Sequence, residues 1–148
     1  MDAPSIRALE REDLDAVLEI ERASHPAPWS RETFLEETHR GWARLEVLRE
    51  QPGGPVRGYL NYWLVGDEVH ILNLTVDPAA RRRGLAARLL EHVFAFAREH
   101  RCVMVTLEVR RSNRPAIALY RRHDFRPVGL RPRYYGNGED AILMLRDL

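Results

Sequence analysis

This chain contains no lysine; all 23 basic residues among its 148 are arginine. No lysine ammonium therefore takes part in catalysis or accepts a self-modification. A P-loop, which ends in Gly-Lys-Ser/Thr, is excluded as well. Cysteine is almost as scarce, with Cys102 alone. One thiol forms no intrachain disulfide, and a reducing compartment fits. No apolar run approaches the roughly 20 residues of a membrane span, and no charged-then-apolar leader opens the sequence. The expectation is a soluble, cytoplasmic protein without a membrane partner. The formal net charge is only +1, too small for a strong polyanion-binding field, so nucleic acid is not an expected partner. Six histidines are scattered without metal-ligand spacing, and no metal is expected.

What is present suits one globular domain over residues 1–148, with 45% hydrophobic and 30% charged residues. Periodicity and turn signals divide the chain into a short strand at 6–8, a helix over 10–24 and a second short helix capped by Ser30. Strands follow at 42–50, 56–65 and 69–76, then a helix beginning after Gly84. That helix places Leu85, Leu89, Leu90, Val93, Phe94 and Ala97 on one face. A strand at 103–110, a helix at 114–123 and strands at 125–130 and 141–145 complete the order. The three middle strands have short connections and should be antiparallel. The strands flanking the long helix should be parallel, joined by a right-handed crossover. The fold class is α/β with a mixed central sheet flanked by helices.

One stretch stands out. Val76-Asp77-Pro78-Ala79-Ala80-Arg81-Arg82-Arg83-Gly84-Leu85-Ala86 carries a strand end through a glycine turn into a helix start. The first helical turn has backbone N–H groups without intrahelical partners and the positive end of the dipole, a ready seat for phosphate. Gly84 brings no Cβ between backbone and anion. The dinucleotide pattern Gly-x-Gly-x-x-Gly is absent; what remains is Arg81-x-x-Gly84-x-Ala86.

That loop resembles the Arg/Gln-x-x-Gly-x-Gly/Ala turn of the GNAT acetyltransferases, and the order of elements is similar to the GNAT fold over essentially the whole chain. The segment 107–113, then 116–120, then Phe125, resembles the second half of the RimI-type ribosomal-protein N-terminal alanine acetyltransferases. Pro28-Trp29-Ser30 is similar to that group's substrate loop, and Tyr134-Tyr135 followed by Gly138-Glu139-Asp140-Ala141 to its late segment. Ala27 departs from the pattern, standing where an aromatic often precedes Pro-Trp.

The resemblance implies transfer of acetyl from acetyl-CoA to a protein N-terminus, that of a ribosomal protein beginning with alanine. It implies that the backbone of Leu74, Thr75 and Val76 pairs with the pantetheine arm as an added strand would. It implies that Arg82, Arg83, Gly84, Leu85, Ala86 and Ala87 supply N–H groups to the pyrophosphate, and that Asn113, a helix N-cap on its own terms, also bonds the coenzyme. Trp29 on one side and Tyr134 and Tyr135 on the other would wall the peptide cleft.

Such a transfer uses a base for the amine and an acid for the departing thiolate. A terminal α-amine has a pKa of about 7.7–8.0 against about 10.4 for lysine, so modest base assistance suffices. Strand alternation sets Glu108 opposite the apolar face of Val105, Leu107 and Val109. A carboxylate in a central strand is costly to bury unpaired. Its spacing alone equally fits a salt bridge to Arg110 or a neighbour; the resemblance assigns it as general base. Tyr120 shares a helix face with Ala116 and Ile117, which alone describes a core tyrosine; the resemblance assigns it as general acid. Two other readings stay open, a GNAT enzyme acting on a lysine side chain or small-molecule amine, and a non-catalytic acetyl-CoA-binding regulatory module. Cys102, at a strand start away from these residues, is not the expected nucleophile.

Overall fold

In the computed structural model, which describes residues 4–148, the chain runs β1 (Ser5–Ala8), α1 (Leu14–Ser24), α2 (Arg31–His39), β2 (Ala43–Arg49), β3 (Val56–Val65), β4 (Glu68–Val76), α3 (Leu85–Glu99), β5 (Met104–Arg110), α4 (Arg114–Arg122), β6 (Arg126–Arg131) and β7 (Ala141–Asp147). The order matches the one expected from periodicity. The differences lie at the ends of elements. The first helix opens with a 3-10 turn at Arg11–Asp13, because Glu10 and Asp13 form a capping box there. The strand expected from Val103 begins at Met104, and the last strand continues to Asp147. Ser30 caps α2 as expected, its Oγ accepting from the Thr33 amide at 3.2 Å.

The strands form one mixed sheet in the order β1-β2-β3-β4-β5-β7-β6. β4 and β5 are parallel, joined through α3; the other neighbours are antiparallel. Strand alternation sends side chains into two apolar layers. On one face, Leu60, Tyr62, Val69, Ile71, Val105 and Leu107 pack against the α3 stripe of Leu85, Leu89, Leu90, Val93, Phe94 and Ala97. All six stripe residues are buried. On the other face, Leu45, Val47 and Tyr59 pack against Leu14, Val17, Leu18 and Phe34 of α1 and α2.

Two local features shape the middle of this sheet. Against β3, Asn61 faces Asn73 and Tyr62 faces Ile71, so Leu72 is an extra residue that bends β4. Against β5, the pairing of β4 runs only from Glu68↔Met104 to Ile71↔Leu107. From Asn73 to Val76, β4 pairs with β3 alone, and β4 and β5 part. Gly58 permits the close approach of β3 here, since a Cβ at that position would lie 2.8 Å from the Thr75 carbonyl oxygen.

Candidate active site

The parting of β4 and β5 opens a trough with two communicating compartments. One holds about 150 Å³ and is lined by Glu21, Ala27, Trp29, Asn73, Glu108 and Tyr135, among others. The second holds about 400 Å³ and is lined by Pro26, Thr75, Val76, Arg81, Ala86 and Pro115, among others. His25, Leu74, Arg110, Asn113, Ala116 and Tyr120 border both, so the compartments meet along these residues. The edge of β4 that β5 leaves uncovered runs through the trough, where the backbone groups not bonded to β3 can meet an extended ligand and the Val76 carbonyl accepts from Arg81 Nε at 3.4 Å. The Ser24 hydroxyl, also on the second compartment, is buried with no hydrogen-bond partner among the described residues.

At the end of the second compartment, the chain turns into α3. Gly84 is the N-cap at φ 75°, the left-handed region that costs glycine nothing. Arg82 also has positive φ, at 64°. This turn leaves the first amides of α3, on Leu85, Ala86 and Ala87, without intrahelical acceptors. Side chains in the loop divide in use. Arg83 is drawn back to Glu50 at 2.7 Å. Leu85 is buried in the core, while Arg82 is exposed. Asn113 caps α4, accepting from the Ala116 amide at 3.3 Å, and faces both compartments. An open strand edge, an anion seat and an unpartnered hydroxyl suit an elongated ligand carrying amides at one end and phosphates at the other, as acetyl-CoA does.

Glu108 is paired, as its spacing allows, but with His70 and Arg131 and not with Arg110. Its side chain is 8% exposed, with Oε2 2.8 Å from His70 Nε2 and Oε1 3.2 Å from Arg131 Nε. His70 lies on β4, paired with Thr106 in the ladder, and its Nδ1 is 2.9 Å from the Thr106 hydroxyl. Arg110, the neighbour considered from sequence, instead pairs with Glu139 at 3.0 Å and lies over the Tyr135 ring at 4.0 Å.

Tyr120 is 7% exposed and packs edge-on against Phe125 with centroids 5.6 Å apart. Burial, then the nearby Tyr135, pushes its phenol well above the ordinary range. The hydroxyl therefore keeps its proton at any ordinary pH, the form a proton donor needs.

The β6–β7 loop brings Tyr135 to the first compartment, where burial pushes its phenol up to about 12. Tyr134 stacks edge-on to Tyr135 at 5.1 Å but is 49% exposed, at the outer rim. Glu139 organises this loop by accepting from the Ser112 amide at 2.8 Å and from Arg110. Those hydrogen bonds, Ser112 foremost, hold its carboxyl below the usual range. Trp29 stands on the α1–α2 loop, tilted against Phe34 at 5.2 Å. Trp29 and Tyr135 thus border the same compartment as Glu108.

Three residues of the site carry no sequence signal of their own. His70 reads as an ordinary strand residue, Glu21 as one more charge on an amphipathic helix, and His25 as a helix terminator. Glu21 is 1% exposed. Its Oε1 accepts from Tyr59 Oη at 2.6 Å and Asn73 Nδ2 at 3.0 Å. His25 Nε2 is 2.8 Å from Thr75 Oγ1, and the Thr75 hydroxyl donates to Asn73 Oδ1 at 2.7 Å. The Thr75 oxygen is therefore left to accept, which sets the proton of His25 on Nε2. Burial holds the imidazole below the usual histidine range, Arg110 and Arg81 adding to this and Glu21 opposing it. Cys102 is buried at the far end of β5, and burial pushes its thiol up, away from thiolate chemistry.

Known proteins resemble this chain along nearly its whole length. The acetyltransferase (GNAT) family profile matches residues 14–125. The [ribosomal protein bS18]-alanine N-acetyltransferase of Escherichia coli (strain K12) is 34% identical over 95% of this chain and 95% of its own. The N-alpha-acetyltransferase RimI of Mycobacterium tuberculosis is 37% identical over 97% of this chain and 92% of its own. Among solved structures, the ribosomal-protein-S18-alanine N-acetyltransferase from Escherichia coli superposes with a TM-score of 0.86 at 35% identity, covering 97% of this chain and 93% of that one. Ard1 from Thermoplasma volcanium superposes at 0.90 with 26% identity, over 99% of both chains.

Proposed function

The chain belongs to the acetyltransferase (GNAT) family, and we propose that it moves the acetyl group of acetyl-CoA onto the free α-amine of a protein N-terminus, an alanine at the start of a ribosomal protein. The observation that carries this reading is one trough bordered by two buried groups of opposite proton habit. Glu108 is a carboxylate paired by His70 and Arg131, and Tyr120 is a phenol that burial keeps protonated. The names of the relatives that match over almost the full chain supply the acceptor.

Acetyl-CoA supplies an activated thioester carbonyl. Leu74, Thr75 and Val76 offer their backbone edge to its pantetheine arm. The turn from Arg82 to Ala87 offers amides to its pyrophosphate, and Asn113 bonds it from the α4 side. The α-amine enters between Trp29 and the Tyr134–Tyr135 loop. Glu108, directly or through a water, takes the amine proton as the N–C bond forms. Tyr120 gives its proton to sulfur as the C–S bond breaks. Acetylated N-terminus and free thiol leave, and proton exchange with solvent resets both side chains. Each proton transfer of this kind contributes about 10²–10⁴-fold in rate.

The test is turnover of acetyl-CoA with three acceptors, intact mass locating the acetyl group. One peptide begins with free alanine. A second has its N-terminus blocked and carries an internal lysine. The third acceptor is a small polyamine. Acetylation of the free-alanine peptide alone supports the proposal. Acetylation of lysine or polyamine alone overturns the acceptor while keeping the donor site, and acetyl-CoA binding without any turnover points to a regulatory module.

A further inference from the structure

Glu21 occupies a place that ordinary helix energetics disfavours. It lies in the last turn of α1, where the negative end of the dipole repels a carboxylate. It is buried, and among the described residues no arginine lies within ion-pair distance of it. The basic group beside it is His25, 3.6 Å away, which burial biases toward the neutral imidazole. A buried charge without a counter-ion is costly unless hydrogen bonds hold it. Three donors do so: Tyr59 and Asn73 on Oε1, and the Trp29 backbone amide on Oε2 at 2.9 Å. They come from three separate segments, β3, β4 directly after the extra residue Leu72, and the α1–α2 loop.

The loop has few other means of attachment. Between His25 and Ser30 the chain reads Pro26-Ala27-Pro28-Trp29, so only Ala27 and Trp29 carry backbone N–H groups. One of those two amides goes to Glu21. We infer that Glu21 is a positioning residue of the acceptor subsite, locking Trp29 and the α1–α2 loop in register with the β4 edge that seats the acetyl donor. This rests on the acceptor reading given above. Glu21 touches neither reacting atom; its carboxylate fixes the distance between the wall that receives the amine and the strand that presents the thioester.

Glu21→Gln separates the two halves of this clamp. The side-chain oxygen that remains satisfies Tyr59 and Asn73, and the new amide then faces the Trp29 N–H, donor against donor. With the free-alanine peptide, KM for the peptide should rise about tenfold, the effect of losing one charge-assisted hydrogen bond. The dissociation constant of acetyl-CoA should stay within about twofold, because its seat is backbone. Tyr59→Phe, which spares the Trp29 contact, should raise peptide KM less than Glu21→Gln does. A parallel fall in acetyl-CoA affinity, kcat and melting temperature in Glu21→Gln, with no separate change in peptide KM, would reveal a purely structural residue and overturn the inference. Unchanged peptide KM would overturn it as well. Amide hydrogen exchange on the wild-type protein decides the matter if the variant does not fold or if the wild type ignores the peptide. Slow exchange at Trp29 within its loop supports the clamp, and exchange at the free-peptide rate refutes it. Failure of the wild type on every peptide, with Trp29 protected, would refute the acceptor reading and leave the clamp standing.

Discussion

Glu108 and His70 stand 2.8 Å apart on parallel neighbouring strands, where β4 and β5 are about to separate. Glu108 lies one residue beyond the last paired position, Ile71↔Leu107, and His70 one residue before it. The carboxylate therefore borders the trough while the imidazole remains in the intact sheet. Glu108→Gln keeps the shape and removes the proton acceptor. Its kcat should fall about 10²–10⁴-fold, with acetyl-CoA affinity by calorimetry unchanged. His70→Gln leaves the carboxylate in place and should cost less.

Tyr120→Phe removes a hydroxyl and nothing else. Turnover should fall about 10²-fold or more, while the edge-on packing against Phe125 preserves the melting temperature. Since burial holds the wild-type phenol above the ordinary range, no loss of rate attributable to its ionisation should appear up to about pH 9. Steady-state rates across that span check this.

Gly84→Val places a branched side chain at φ 75°, at a cost of about 1–2 kcal/mol. The turn should reshape rather than hold that strain. Acetyl-CoA affinity should then weaken more than peptide KM, as calorimetry with coenzyme A alone would register.

Gly58→Ala puts a Cβ 2.8 Å from the Thr75 carbonyl oxygen, a backbone atom that has no free rotation. Overpacking of this kind costs about 1–3 kcal/mol. A fall of several degrees in melting temperature is expected, together with weaker acetyl-CoA binding, because Thr75 lies on the open edge.

His25 ties stability to pH. Its folded pKa is lowered from 6.5, chiefly by burial. Below that value the unfolded chain binds a proton that the folded chain resists. The contribution is therefore complete above about pH 6.5 and shrinks as pH falls. Melting temperature should drop between about pH 7.5 and about pH 5.5, more in the wild type than in His25→Gln. Equal slopes would show that other groups govern the acid limb.

Much of the architecture could be read from the amino-acid pattern. The α3 stripe was legible because a long helix repeats its apolar face four times, and the parallel pairing of β4 and β5 followed from the helix that joins them. The roles proposed for Glu108 and Tyr120 come from resemblance, not periodicity, which describes Tyr120 equally well as core. The partners of Glu108 were not legible. His70 is 38 positions away and Arg131 is 23, and only strand order brings them together. Glu21 was hidden for a different reason. A buried glutamate on a helix looks like a surface one until Tyr59 and Asn73, from two other strands, are seen to reach it. Leu72 gave no sign of being an extra residue, because a bulge is a property of two strands in register, not of one.

Unpaired strand edges invite adventitious pairing with other chains. The outer strand β6 guards against it with Arg126, Pro127 and Arg131. The open stretch of β4 carries no such guards, having Leu74, Thr75 and Val76 instead. It has no need of them, since it lies within a trough between the α1–α2 loop and α4 that a folded neighbour's sheet does not fit. What is a liability at the rim of a sheet thus becomes, in the interior, a stretch of backbone open to a slender extended chain.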